Sequence, residues 1–325
     1  MSLPPVEEVA VSSWSWHGPF YAGNLFLHDV PREAARLGFR AVELNDFMLA
    51  PPRLSRLRAL AFRWARWVVH QAHLFGQGKP PSPLPERLAH VQSVLAAFAH
   101  RGDPRAPEEL ARYTQHNLKR VRAALDEARV RCIAWTVNSD LCVSEAFWPW
   151  QRRYLHWGVA AAQVLEAPLL RLTLGGKPDM SAEVEGRVVA RLAALADEAA
   201  RRAPACTLVV ENHWGISTDP DRLLRILDAA SERANRAVGL CFDPGNLPPE
   251  ARETGWARLA PRARHVHFKT YTFDSAGRET TLPYERILSL VGDRCTSVSI
   301  EYEGDGEPAA GIGASRALYA RIVEP

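Results

Sequence analysis

Glu211, Asp243, His267 and Glu301 each stand near the C-terminal end of a short strand-like run in the second half of the chain and follow one another at intervals of 32, 24 and 34 residues. Two glutamates, an aspartate and a histidine make a hard, mostly oxygen donor set with one imidazole. Such a set suits Mn2+, Mg2+, Co2+ or Zn2+, with geometry deciding among them. Three carboxylates buried together without a cation would be costly. Each residue alone has a plainer reading. A strand-end glutamate is more often a salt-bridge partner, a lone histidine a satisfied rim residue, and Asp243, ahead of Pro244-Gly245-Asn246, a turn former. The pattern across four successive strands favours one divalent ion held by all four residues.

Strand geometry makes these residues converge. Side chains alternate along a strand, and in a closed barrel one set points inward and the other toward the helices. On the last four strands the apolar sets are Leu208 and Val210; Val238, Leu240 and Phe242; Val266 and Phe268; and Val298, Ile300 and Tyr302. With these facing out, Glu211, Asp243, the trio His265, His267 and Lys269, and the pair Glu301 and Glu303 face in. His267 is the expected ligand, with His265 one pleat deeper supporting it. Lys269 either reaches a substrate carboxylate or oxyanion or pairs with Glu301 or Glu303. Arg171, between Leu170 and Leu172, should also face inward. A buried arginine wants an anion, either a barrel glutamate such as Glu43 or the substrate; Glu43, ending the second strand, is itself an expected substrate contact. His213, two residues beyond Glu211, either contacts a substrate hydroxyl or is a rim histidine bonded to backbone.

The elements that must position these residues show as an alternation of two periods. Strand-like runs recur at EEVAVSSWSW, FRAVELN, RCIAWTVNS, LLRLTL, TLVVEN, AVGLCFD, RHVHFKTY and SVSIEYE. Between most of them lie helical patterns such as VPREAARLG, EELARYTQHNLKRVRAALDEA, AEVEGRVVARLAALADEAARR and DPDRLLRILDAASERA. Eight strands alternating with helices predict an α/β fold closed as a (β/α)8 barrel with parallel strands. An open doubly wound sheet is the rival, but no G-x-G-x-x-G or Walker-type loop follows the first strand, and Gly175-Gly176-Lys177 lacks phosphate-loop spacing.

The 325 residues read as a single domain, with a helical insertion at about 50–103 after the second strand. Pro-rich edges there flank LSRLRALAFRWARWVVHQAHLF, in which Leu54, Leu57, Ala61, Trp64, Trp67 and Val68 share a face. The expected roles are a helix packed on the barrel with a solvated basic face, or a partial lid over the mouth. A net charge of +3 gives little reason to expect nucleic acid, and no run of about 18 uncharged apolar residues predicts a membrane span. The five scattered cysteines suit buried thiols in a reducing compartment. The N-terminus lacks signal-peptide features, so a cytoplasmic location is expected, and a homo-oligomer is compatible with the sequence.

The motifs VVENH (209–213), CFDPGN (241–246), HVHFK (265–269) and SIEYEG (299–304), in this order and spacing, resemble the xylose-isomerase-like barrel superfamily. That superfamily comprises sugar isomerases and epimerases and includes D-tagatose 3-epimerase, hydroxypyruvate isomerase and inosose dehydratase. The resemblance covers the second half of the chain, with AARLGFRAVELN, ending near Glu43, as the familiar part of the first half. It implies a TIM barrel, one divalent metal on Glu211, Asp243, His267 and Glu301, and a small sugar-like substrate. It also implies that Glu211 and Glu301 act as an acid/base pair on a carbon next to a carbonyl, through an enediolate. Where the sugar epimerases carry a histidine three residues after the metal-binding aspartate, this chain has Asn246, the expected substrate contact at that position. The implied activity is isomerase or epimerase; the alternatives are a dehydratase of inosose type and a non-catalytic sugar-binding barrel. Apurinic endonucleases share the superfamily, but their histidine-rich trinuclear zinc set cannot be assembled from these strands.

Overall fold

The structure, a computed structural model, describes residues 3–22, 24–49 and 108–324. Eight strands close on themselves in sequence order: β1 (Ala10–Ser12), β2 (Ala41–Asn45), β3 (Arg131–Thr136), β4 (Leu169–Leu172), β5 (Thr207–Glu211), β6 (Gly239–Phe242), β7 (Ala263–Thr270) and β8 (Ser297–Tyr302). Every neighbouring pair is parallel, and β8 pairs with β1 to complete the ring. The fold is therefore the expected (β/α)8 barrel. The insertion expected at about 50–103 lies outside the described residues. No described helix is long and apolar enough to cross a membrane.

Among the described residues the α-helices are α1 (His17–Ala22), α2 (Val30–Arg36), α3 (Glu108–Ala128), α4 (Trp148–Leu165), α5 (Ala182–Arg202), α6 (Pro220–Arg233), α7 (Arg252–Leu259), α8 (Tyr284–Ser289) and α9 (Pro308–Val323). Local sequence sets several of their ends. Ser181 accepts a hydrogen bond from Val184 N at the start of α5, whose first turn holds Glu183 and Glu185 and whose last turn holds Arg201 and Arg202. Both charge placements complement the helix dipole. Asp219 caps α6 through Asp221 N and Arg222 N, with Pro220 in the first turn. The first strand is shorter than its sequence run. Ser12 accepts from Trp14 N and turns residues 13–16 into a 3-10 helix, which diverts the chain from the sheet.

Alternation divides the barrel as expected. Leu208, Val210, Phe242, Val266, Phe268, Val298 and Ile300 belong to the main apolar core, which continues into the helices. Inside the ring, Ala134, Leu169, Val209 and Cys241 form a small separate cluster, and Ala10, Ala41 and Ile133 another. These small layers fill the barrel. Above and between them the interior is polar, with Glu43, Glu211, Asp243, His265, His267, Lys269 and Glu301 all buried.

Candidate active site

The floor of the polar interior is organised by Glu43. Its Oε1 accepts from Thr136 Oγ1 at 2.7 Å and lies 3.0 Å from His267 Nε2, while its Oε2 lies 2.9 Å from His265 Nε2. The other His265 nitrogen, Nδ1, is 2.7 Å from Ser297 Oγ. Burial would push the Glu43 carboxyl up, but His267 and His265 beside it hold it well below the usual carboxylate range. Glu43 is ionised, and an ionised carboxylate accepts and cannot donate. Both facing Nε2 atoms therefore carry protons. Sequence reasoning offered Glu43 as a substrate contact; the structure places it beneath the cavity, fully buried and outside the lining.

With Nε2 committed downward, His267 turns Nδ1 up toward three carboxylates. Glu211 Oε1 is 3.2 Å away, Asp243 Oδ2 3.5 Å and Glu301 Oε2 3.7 Å. A bare nitrogen lone pair facing three anionic oxygens is repulsive, so this arrangement calls for a cation or a proton between them. Burial pulls His267 toward neutrality, but Cys241 and the carboxylates of Glu43, Glu301 and Glu211 hold it well above its ordinary value. The Cys241 thiol is itself pushed up to about 12 by burial and is neutral, so the carboxylates supply the charge. Donor atoms of Glu211, Asp243 and His267 all lie within 4.8 Å of one another, which fits a single divalent ion, with Glu301 at the edge of the same group. Cys241, His265 and His267 also approach one another, but both Nε2 atoms there are taken by Glu43.

Further hydrogen bonds fix each carboxylate. Glu211 Oε1 accepts from Asn246 Nδ2 at 2.9 Å, and Oε2 forms an ion pair with Arg171 Nη2 at 2.6 Å. Arg171 thus meets Glu211 and not Glu43. Burial favours the neutral Glu211 acid, but Arg171, His213 and His267 keep it well below the usual range. Asp243 Oδ1 accepts from Gly245 N at 2.8 Å, and Asn212 clasps the Asp243 main chain through Nδ2 and Oδ1. Glu301 Oε1 accepts from Ser12 Oγ at 3.1 Å. Its carboxyl is pushed up to about 7, chiefly by burial, with Lys269 and His267 opposing.

Lys269 pairs with Asp243 at 2.8 Å, Glu301 at 3.3 Å and Glu303 at 3.4 Å, and donates to Asn246 Oδ1 at 3.1 Å. Sequence reasoning paired it with the glutamates and missed Asp243. The ammonium stands where positive charge is needed, and these anions hold it well above its ordinary value against the pull of burial.

Above this layer opens a cavity of about 740 Å³. Glu211, Glu301, Lys269, Arg171, His213 and Asn246 all line it; Asp243 and His267 lie just beneath. His213 donates its main-chain N–H to Ser217 Oγ at 3.0 Å, while its ring Nδ1 is buried without a hydrogen-bond partner among the described residues. Burial draws its pKa down, so the ring is neutral near physiological pH. Arg171 Nε and Nη1 and Gln151 Nε2 are likewise without partners. Sequence reasoning missed Gln151 and the aromatic walls Trp14, Phe47 and Trp214. Gln151 comes from the first turn of α4, where no strand alternation exists to mark it. Trp14 lies in the 3-10 turn that follows β1, and its indole N–H donates to Glu303.

Residues 95–322 match the family model described as Xylose isomerase-like TIM barrel. No curated protein matches the sequence. Several solved structures share the fold along nearly the whole chain. The probable 3-DHS dehydratase AsbF, involved in petrobactin synthesis, from Bacillus anthracis is 14% identical over 96% of this chain and 98% of that one, with a TM-score of 0.57. A xylose isomerase-like TIM barrel protein from Mycobacterium smegmatis in complex with magnesium is 15% identical over 99% and 98%, with a TM-score of 0.58. The 3-keto-D-glucoside 4-epimerase YcjR from E. coli is 11% identical over 97% and 98%, with a TM-score of 0.57. At these identities the likeness is one of fold.

Proposed function

Because the chain belongs to the xylose isomerase-like TIM barrel family, we propose that it is a divalent-metal-dependent isomerase or epimerase of a small sugar or other polyhydroxylated carbonyl compound. The observation that carries this reading is the convergence of Glu211, Asp243, Glu301 and the upward Nδ1 of His267 beneath a polar cavity. A magnesium complex and a sugar epimerase among proteins of the same fold agree with it. A divalent cation held by Glu211, Asp243, His267 and Glu301 would supply positive charge where an oxyanion develops.

The proton movement belongs to the chain's own residues. Glu211 projects from β5 and Glu301 from β8, so the two carboxyls reach the cavity from well-separated points on the ring. Arg171 keeps Glu211 ionised and ready to take a proton from the carbon next to the carbonyl. Glu301, which reaches the cavity from β8, is the group suited to return one. Return to the opposite face of the same carbon epimerises; return to the former carbonyl carbon, with the hydroxyl proton passing from one enediolate oxygen to the other, isomerises. Arg171 Nε and Nη1, Gln151 Nε2 and the neutral His213 ring offer hydrogen bonds to substrate oxygens along one wall. Trp14 and Trp214 offer flat apolar surface to the C–H faces of a sugar. The same enediolate could instead expel a β-hydroxyl, the outcome in a dehydratase, and product analysis by NMR separates the two.

The test is solvent deuterium exchange into keto sugars and related polyols by protein loaded with Mn2+, Mg2+, Co2+ or Zn2+. Exchange next to the carbonyl is expected, falling by about 10²- to 10⁴-fold in Glu211→Gln and in Glu301→Gln. Protein that takes up no divalent ion, or that binds a sugar without exchanging a proton, would overturn the reading and leave a binding barrel in its place.

A further inference from the structure

The geometry points to Glu43 as the residue that positions the metal-binding histidine: by accepting the Nε2–H of His267 it holds the imidazole in the form whose Nδ1 lone pair faces Glu211, Asp243 and Glu301. This inference rests on the metal centre proposed above and assigns to Glu43 a role at the back of that centre, away from substrate. Three observations carry it. Glu43 is fully buried and does not line the cavity, so a substrate has no route to it. Its two oxygens face three donors, Thr136 Oγ1, His267 Nε2 and His265 Nε2, at 2.7, 3.0 and 2.9 Å. The ladder neighbours of Glu43 are short: Ser12 on β1 and Ala134 on β3, the latter pairing on with Leu169. An apolar residue would fill that position with less desolvation, so a buried carboxylate there needs a reason beyond packing.

The reason lies in the two ring nitrogens of His267. A neutral imidazole has one proton, and whichever nitrogen loses it becomes the ligand atom. A carboxylate on the Nε2 side draws the proton there, frees Nδ1 and makes it a stronger donor to a cation. Thr136 anchors the same Oε1 from β3. His265, held by Ser297 on its far side, anchors Oε2. The network is closed: if His265 and His267 each carry their proton on Nε2, every partner has a matching donor or acceptor. Ser297 donates to His265 Nδ1, and only His267 Nδ1 remains, pointing into the site.

The test compares Mn2+ binding by titration calorimetry in the wild type, Glu43→Gln, Glu43→Ala and Thr136→Val, with thermal unfolding of each metal-free protein measured alongside. Glu43→Ala should weaken Mn2+ binding about 10- to 100-fold. Glu43→Gln, which keeps an acceptor oxygen and loses the charge, should fall between it and the wild type. Thr136→Val loosens Glu43 without removing it and should cost a few-fold; it serves if Glu43→Ala does not fold. A purely structural role would lower the unfolding temperature and leave the Mn2+ dissociation constant of folded protein unchanged. That result in Glu43→Gln and Thr136→Val overturns the inference while the proposed function stands. A wild type that binds no Mn2+, Mg2+, Co2+ or Zn2+ overturns both.

Discussion

The two candidate proton carriers differ because different charges surround them. Glu211 has Arg171 at 2.6 Å and is held ionised; Glu301 meets its nearest cation, Lys269, at 3.3 Å, and burial prevails. Another buried carboxyl, Asp46 just past β2, accepts a hydrogen bond from Tyr154 and is pushed up to about 6 by burial. Folded protein therefore binds this proton more tightly than unfolded protein does. The stability it contributes is complete below the ordinary carboxylate range, shrinks as pH rises through about 6 and is absent above. Asp46→Asn should flatten that fall, by up to roughly 3 kcal/mol between about pH 4 and pH 8, as read from urea unfolding at both ends. The inward placement of Glu211, Asp243, His267 and Glu301 was legible from alternation alone. Their partners were legible only in part. The pairing of Lys269 with Glu301 and Glu303 was among the expected alternatives, whereas its contact with Asp243 and the meeting of Glu43 with His267 across the barrel from β2 were not. Such pairings depend on register and on the stagger of the closed ring, which no period within one strand encodes.

Strand count and order followed from the rhythm of the chain, whereas the loops that shape the mouth did not. The loops after β4 and β5 touch through Gly175 and Gly215, with Ile216 N donating to Gly175 O at 3.0 Å. Gly215 adopts φ +73°, and a Cβ there would meet Gly175 O at 2.0 Å. Gly215→Ala should therefore lower stability by at least about 2 kcal/mol, measured by chemical denaturation. It should also disturb substrate affinity more than metal affinity, because Gly215 follows His213 and Trp214 directly. Equal losses in both would mean that the loop supports the whole mouth. The brevity of β1 has a similar local origin. In a sequence window Ser12 and Ser13 read as ordinary strand residues. In the structure Ser12 Oγ accepts from Trp14 N, and Ser13 Oγ accepts from Asn45 N on β2. Hydroxyls that can bond to nearby backbone end strands in ways that hydrophobic patterning does not reveal.

Across the molecule, a ring of eight parallel strands holds several buried ionisable groups in one column, with anions outnumbering cations at the mouth. Supplying a divalent ion should therefore stabilise the fold as well as the site. At a metal concentration about 100 times the dissociation constant, binding adds about 2.7 kcal/mol, a rise of several degrees in Tm that EDTA should reverse. The column also bears on how such a centre could be moved. Grafting Glu211, Asp243, His267 and Glu301 onto the strand ends of another barrel would transfer the visible donors alone. Glu43, Thr136, His265 and Ser297, from β2, β3, β7 and β8, would stay behind. The transplanted histidine would then be free to present either nitrogen. In this barrel the smallest portable unit of the centre includes its floor.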